Sequence, residues 1–325
     1  MTFLSQLRQQ FTDKKPVYIV THERADGDGI GSQIALTLYL NRFGLEAYCL
    51  QSEALSDAYD SFLTGVPVCA LSEHKADAYW VAVDCGNPMR VAPELRSLTY
   101  TAVIDHHLIE EPWVKRCWIH PERSSNCELL LDLFLEDGYR LDHPSINNAL
   151  YMGILTDTGS FSHNNVTADT FVCAERLVRA GVQPYRIIQK LFKNKTLEQF
   201  QLYCLYLKRL RLYGSGTIAV ARLDASDYVK THTERMHTEG FVNQPLGLKQ
   251  TKISIFVETN PTYVKVSLRS IDPMFPVHAV AKLWGGFGHV CAAGFKCHPS
   301  QFSLRRLVRA CARCIQDAHE ADNTL

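Results

Sequence analysis

Asp105-His106-His107 stands directly behind the apolar run Leu98 to Ile104. Two neighbouring imidazoles and a carboxylate at the end of an expected buried strand form a compact set of metal-ligand atoms. Further carboxylates occupy equivalent places. His22, Asp26 and Asp28 follow Val17–Thr21, Asp84 follows Ala78–Val83, and Asp157 follows Ala149–Thr156. Clusters that recur at element ends point to a single site. A carboxylate-rich, imidazole-containing, thiolate-free set suits Mn²⁺ or Mg²⁺, with imidazole favouring Mn²⁺. Two such ions about 3.5–4 Å apart form the arrangement used for in-line attack at phosphorus, and one central Asp shared between them would be expected.

Single motifs are weaker than the set. In His22-Glu-Arg-Ala-Asp26-Gly-Asp28-Gly-Ile-Gly31-Ser32, two carboxylates one residue apart repel unless cations or water separate them. Gly27, Gly29 and Gly31 permit a tight strand-to-helix turn and close backbone approach, and the helix behind them would point its amides at an anion. The plainer alternative is a solvated acidic turn capping that helix through Asp28 or Ser32. In the second half, Arg269 on an apparent strand suits bidentate phosphate recognition. Gly285, Gly286 and Gly288 with His289 make a loop open to phosphate, though a simple helix-to-strand turn explains those glycines equally well. Cys311 and Cys314 form an isolated CxxC in an apparent helix, which reads as buried small hydrophobes before zinc or redox chemistry.

The elements that must position these residues follow from apolar periodicity. Val17–Thr21, Glu46–Leu50, Ala78–Asp84, Leu98–Asp105 and Cys117–His120 are predicted strands. Gly31–Phe43, Cys127–Glu136, Ser145–Thr156 and Thr170–Ala180 are predicted helices. Such alternation predicts an α/β fold with parallel strands, whose ligands gather at the carboxyl ends near the switch in strand order. A helix over about Leu197–Leu212, ended by Gly214-Ser215-Gly216, is the natural connector. Beyond it Thr217–Leu223, Lys252–Glu258 and Val264–Arg269 are strand-like, and helices are expected at Val277–Trp284 and Ser303–Ala318. The resulting division is 1–194, a helical linker 195–216, and a smaller mixed α/β domain 217–325.

Composition is that of a soluble globular protein. The chain has 325 residues, 46% hydrophobic and 21% charged, which suits two domains and excludes a disordered chain. No stretch approaches the roughly 20 apolar residues of a membrane span. Met1 to Lys15 suits a short amphipathic helix and lacks a signal-peptide core. Eleven scattered cysteines fit a reduced, cytoplasmic protein. Residues 206–325 hold 16 Lys/Arg against 9 Asp/Glu, leaving 18 against 25 of the totals of 34 each for residues 1–205. Either this is chance variation in surface charge, or an acidic half holds cations while a basic half attracts a polyanion. The neutral total favours a short anionic substrate.

The series His22…Asp26-Gly-Asp28, Asp84, Asp105-His106-His107 and Gly153-Ile-Leu-Thr-Asp157-Thr-Gly resembles the four motifs of the DHH phosphoesterase superfamily. Val266-Ser-Leu-Arg269-Ser and Gly285-Gly-Phe-Gly288-His289-Val-Cys-Ala-Ala-Gly294 resemble its C-terminal DHHA1 domain. The branch with oligoribonuclease and pAp-phosphatase activity is the most similar. This resemblance implies that His22, Asp26 and Asp84 hold one metal, and that Asp28, Asp84, His106 and Asp157 hold the other, with Asp84 as the bridge. It implies that Asp105 orients His106 and that His107 faces the scissile phosphate, where a packed structural histidine is the alternative. Arg269, Gly285, Gly286, Gly288 and His289 would bind substrate.

Departures from the family pattern are local. Phe287 interrupts the glycine run, where its ring would stack on a base or narrow the pocket. Ala25 replaces a common proline, an arginine often found beyond Val166-Thr167 is missing, and His163 is a further candidate for substrate contact. The expected activity is hydrolysis of short oligoribonucleotides to mononucleotides, of pAp to AMP, or of both, by water activated between two Mn²⁺ ions, with Mg²⁺ or Co²⁺ as substitutes. Hydrolysis of pApA or cyclic dinucleotides is the alternative within the same chemistry, and a metal- and nucleotide-binding regulator without turnover is the alternative outside it. Short RNA or nucleotides are the expected partners, without a membrane, and a homodimer stays open.

Overall fold

The computed structural model describes residues 1–55, 57–108, 113–288 and 290–322. It divides into two units, Met1–Asn194 and Lys195–Leu325. The first contains α1 (Phe3–Arg8), β1 (Val17–Val20), α2 (Gly27–Asn41), β2 (Ala47–Gln51), α3 (Asp57–Asp60), β3 (Val68–Ala70), β4 (Tyr79–Val83), β5 (Ala102–Asp105) and β6 (Cys117–Ile119). The helices α4 (Asn126–Glu136), α5 (Pro144–Asp157), α6 (Ala168–Arg179) and α7 (Pro184–Phe192) complete it. All six strands are parallel, in the order β3-β2-β1-β4-β5-β6.

The strand sequences explain this arrangement. Val-Tyr-Ile-Val and Tyr-Trp-Val-Ala-Val are apolar at nearly every position, as strands covered on both faces must be. Ile19, Val81, Val83 and Ile104 join Ile30, Ile34, Leu130 and Leu150 of α2, α4 and α5 in one core. Tyr18, Val20, Trp80 and Val103 pack on the opposite face with Val91, Leu95 and Tyr100. The chain reverses direction across the sheet between β1 and β4, which opens a crevice at their carboxyl ends.

Local differences from expectation have clear causes. Helix α2 begins at Gly27 rather than Gly31 because Asp26, not Asp28 or Ser32, caps it. The Asp26 carboxylate accepts from the Asp28 and Gly29 amides at 3.0 and 3.2 Å. Gly27, Gly29 and Gly31 are helical, so a tight turn is not their role. A Cβ on Gly31 would lie 2.6 Å from the Ala149 carbonyl oxygen, so the glycine lets α2 and α5 approach closely. The short β3 and the helix α7 fall outside the predicted elements.

The second unit contains α8 (Leu197–Lys208), β7 (Arg211–Tyr213), β8 (Ile218–Asp224), α9 (Ala225–Lys230), β9 (Ile253–Thr259) and β10 (Val264–Ser270). It continues with α10 (Val277–Lys282), β11 (Phe287–Gly288), β12 (Ala292–Cys297) and α11 (Leu304–Asp322). Its sheet is mixed, ordered β11-β12-β10-β9-β8-β7, with β8 and β9 parallel and the other pairs antiparallel. The helix expected to reach Leu212 stops at Lys208, because Arg211–Tyr213 pairs with β8. The Gly214-Ser215-Gly216 turn, with φ of 58°, 55° and 94°, closes that hairpin. Leu202 and Tyr206 of α8 pack on Ala221, Leu223 and Phe256, so residues 195–216 are built into this unit. Cys311 lies in its core. No helix among the described residues is long and apolar enough to cross a membrane.

Candidate metal centre

Asp84 occupies the centre of the crevice. It follows β4 with φ +50°, a left-handed conformation that Asp tolerates better than most residues. Its carboxylate is buried and lies 3.5 Å from His22 Nε2, 3.6 Å from His106 Nε2 and 3.3 Å from His107 Nδ1. Among the described residues, Asp84 Oδ1 has no hydrogen-bond partner. Asp28 is held from the other side: its two oxygens accept the Asn126 and Cys127 amides, at 2.7 and 2.9 Å, at the start of α4. Asp157, the last residue of α5, lies 3.7 Å from His106 Nε2, and Asp28 is equally far from that nitrogen.

Three overlapping ligand groups result, with one donor atom per residue and all atoms of a group within 4.8 Å of one another. They are His22, Asp26 and Asp84; Asp28, His106 and Asp157; and Asp84, Asp105, His106 and His107. The structure thus brings together all six residues expected as metal ligands. The His106 ring is oriented by the Arg123 carbonyl, 3.2 Å from Nδ1. With the proton on Nδ1, the Nε2 lone pair faces the carboxylates, as a metal-ligating histidine requires.

Asp105 requires a correction. It does not hold His106. Its Oδ1 accepts both the backbone amide and the ring Nδ1–H of His107, at 3.0 and 2.7 Å. His107 Nε2 in turn lies 3.4 Å from Arg90 Nη1. A guanidinium only donates, so Nε2 is the acceptor and the ring is fixed between an anion and a cation.

The charge pattern calls for cations. Burial and the Asp84 carboxylate push Asp28 up to about 7. Burial and the Asp28 charge also push Asp157 well above the usual carboxylate range. Burial opposes the charge on Asp84, but His106 and His22 outweigh it and hold that carboxyl well below its ordinary value. Burial also opposes the His106 imidazolium, yet Asp84, Asp157 and Asp28 hold the ring well above the usual histidine range. Without cations the cluster therefore retains protons that the unfolded chain releases. The stabilisation from Asp28 is complete below about 4 and disappears as pH rises through about 7. Divalent ions displace these protons. The rise in melting temperature on adding Mn²⁺ is expected to be largest above pH 7 and to shrink towards pH 5; a pH-independent increment would contradict this charge assignment.

Residues 16–154 match the DHH family, N-terminal domain. The first unit is a DHH-family domain. Over 290 residues the chain is 27% identical to the bifunctional oligoribonuclease and PAP phosphatase NrnA of Thermus thermophilus, spanning 86% of this chain and 83% of that protein. It is 24% identical over 292 residues to the protein of that name from Bacillus subtilis, spanning 84% and 86%. The crystal structure of an exopolyphosphatase-related protein from Bacteroides fragilis shares the fold, with a TM-score of 0.84 at 23% identity, covering 97% of this chain and 96% of that one.

Close packing behind the DHH-domain cluster is strict at Gly153. A Cβ there would sit 2.6 Å from Asp28 Oδ1 and also strike Cys127 Sγ. Gly153→Ala is expected to cost about 1–3 kcal/mol through overpacking and to weaken Mn²⁺ binding by moving Asp28. Unchanged melting and metal titration curves would refute that packing role.

Several contributors in the DHH domain escaped the sequence reading. Arg90 sits in the loop behind Asp84, where Asn87 caps the Pro88–Arg90 turn and the Arg90 carbonyl accepts from the Glu23 amide at 2.7 Å. Asn126 and Cys127 act through their backbone, although Ser125-x-x-Glu128 is a helix-start pattern that marks those amides. Asn165, which donates to the Asp157 carboxylate at 3.4 Å, was also missed; His163, expected as a candidate for substrate contact, has its Nδ1 3.2 Å from the Asp157 carbonyl, so both buttress the end of α5.

In the second unit, Arg269 lies on β10 opposite Ala292, one position from Ala293, which faces Gly288 across β12. Arg269 Nη1 donates to the Leu268 carbonyl at 2.9 Å. Gly288 has φ +143°, and a Cβ on Gly286 would lie 2.9 Å from the Ala281 carbonyl oxygen, so these glycines also serve the turn from α10 to β12. Gly285 opens that turn with φ +69°. His289 lies outside the described residues.

Proposed function

We propose that this protein is a metal-dependent phosphoesterase that hydrolyses short oligoribonucleotides to mononucleotides and pAp to AMP. The observation that carries the reading is the buried Asp84 Oδ1 set between two imidazoles, with Asp28 and Asp157 converging on the same His106 nitrogen. The NrnA names of the relatives support the substrate class.

The donor set fits two hard divalent ions. His22, Asp26 and Asp84 would hold one; Asp28, Asp84, His106 and Asp157 the other; Mn²⁺ suits the mixed imidazole and carboxylate ligands, with Mg²⁺ or Co²⁺ as substitutes. Bound ions of this kind supply a water acidic enough to attack near neutral pH and neutralise charge on phosphate oxygens.

The chain's own residues do the rest. The Arg123 carbonyl fixes His106 in the ligating tautomer, and the α4 amides fix both Asp28 oxygens. Asp105 fixes the His107 ring, whose Nε2 exchanges its hydrogen bond from Arg90 for a proton taken up beside the phosphate. Arg90 offers its remaining guanidinium protons to the equatorial phosphate oxygens, where negative charge concentrates during transfer. The second unit serves as a DHHA1-type substrate domain, with Arg269 and the Gly285–His289 loop binding a substrate phosphate.

The test is direct. Purified protein with Mn²⁺ should release AMP from pAp and mononucleotides from RNA of two to five residues, and chelation should stop both. Failure on every one of these substrates with Mn²⁺, Mg²⁺ and Co²⁺ would reject the proposal.

A further inference from the structure

The proposed chemistry uses one corner of the second unit and leaves its longest helix unexplained. On α11, Leu307, Cys311 and Ile315 are buried in the core. Arg305, Arg306, Arg309 and Arg313 are all exposed. At 3.6 residues per turn these four fall within an arc of about 100° on the face opposite the buried one. Among the described residues, none of the four forms an ion pair. The acidic Asp317 and Glu320 follow the stripe instead of alternating with it, and Glu320 pairs with Gln316.

Two further features distinguish this face from an ordinary solvated one. It contains arginine and no lysine, and the planar guanidinium matches phosphate oxygens in a way an ammonium does not. It is also joined to the glycine loop. Arg306 lies over the Trp284 ring, 5.1 Å from its centroid, and that ring stacks on Phe295 with centroids 5.0 Å apart. Trp284 immediately precedes Gly285, and the Phe287 ring of the same loop is 68% exposed. A basic track beside an exposed aromatic ring is the pattern that holds single-stranded nucleic acid.

We propose that the arginine face of α11 binds the phosphodiester backbone of single-stranded RNA, extending from the Gly285–Gly288 loop along the helix. Arg305 to Arg313 spans about 12 Å at 1.5 Å per residue, enough for a run of consecutive backbone phosphates. The face therefore favours oligonucleotides of several residues and gives pAp nothing to hold. The inference rests on the substrate reading above and deepens it.

The test compares the full chain with the variant Arg305→Ala/Arg309→Ala/Arg313→Ala, using five-residue RNA under chelation so that it stays intact. The native protein should bind this RNA at least about tenfold more tightly than the variant. The slope of log affinity against log salt should fall by about 2, at about 0.7 for each phosphate contact removed. The matching Arg→Lys triple variant should keep most of that slope, which separates charge from fold. With Mn²⁺, hydrolysis of pAp should change less than twofold in the alanine variant. Unchanged RNA binding, or equal losses on five-residue RNA and pAp, would overturn the proposal. So would a variant that lost binding to vesicles of anionic lipid while keeping RNA. If the arginines govern RNA binding but the native protein hydrolyses nothing, the binding face stands and the phosphoesterase reading falls.

Discussion

Asp84→Asn is expected to abolish hydrolysis of pAp and short RNA while leaving a folded protein. The change keeps the size of the side chain, and Asn visits the left-handed region as readily as Asp, so φ +50° is retained. The negative charge that His22, His106 and His107 surround is lost. Outer partners of metal ligands cost about 10–100-fold when removed, and a carboxylate shared by two of the three ligand groups should exceed that range. Turnover with Mn²⁺ and a metal titration by calorimetry check this. Activity within a few-fold of the native protein would remove Asp84 from its bridging role.

Arg90→Ala is the second large effect. No acidic side chain among the described residues pairs with Arg90, whose Nη1 reaches His107 Nε2 at 3.4 Å. Its loop is tied down by the Glu23 amide, so the guanidinium is held at the edge of the cluster. A positioned donor aimed at developing charge is typically worth about 10²–10³ in kcat, about 3–4 kcal/mol. The loss should fall on kcat, with KM changing less than about threefold, because the interaction strengthens as charge develops. Arg90→Lys should recover part of the rate, since it restores charge without the fork. Steady-state kinetics on pAp decide the matter: a change confined to KM would make Arg90 a ground-state binding residue, and no change would exclude it.

The clustering of these acidic and imidazole residues was legible because a parallel sheet places the residues behind its strands at one edge. His22, Asp84 and Asp105 each follow an apolar run that can only be a covered strand. The partner of Asp105 was not legible in that way. Adjacency suggests His106, but an Asp side chain reaches the amide two residues on, and that local turn carries the His107 ring with it. Arg90 was hidden for a different reason. Its place depends on a capped turn and on a backbone bond to Glu23, neither of which leaves a periodic trace. The capping function of Asp26 was assigned to its neighbours because three acidic or hydroxyl side chains compete within one turn. In the second unit, β7 and β11 are too short to show a period of two, and their pairing is set by β8 and β12.

The metal count tests the central claim most directly. Metal-free protein should be titrated with Mn²⁺ at pH 7.5 and followed by calorimetry and electron paramagnetic resonance. Two ions per chain are expected, and their signal should show magnetic coupling through a shared ligand. A single ion at saturation, or two ions without coupling, would contradict a paired centre built around Asp84.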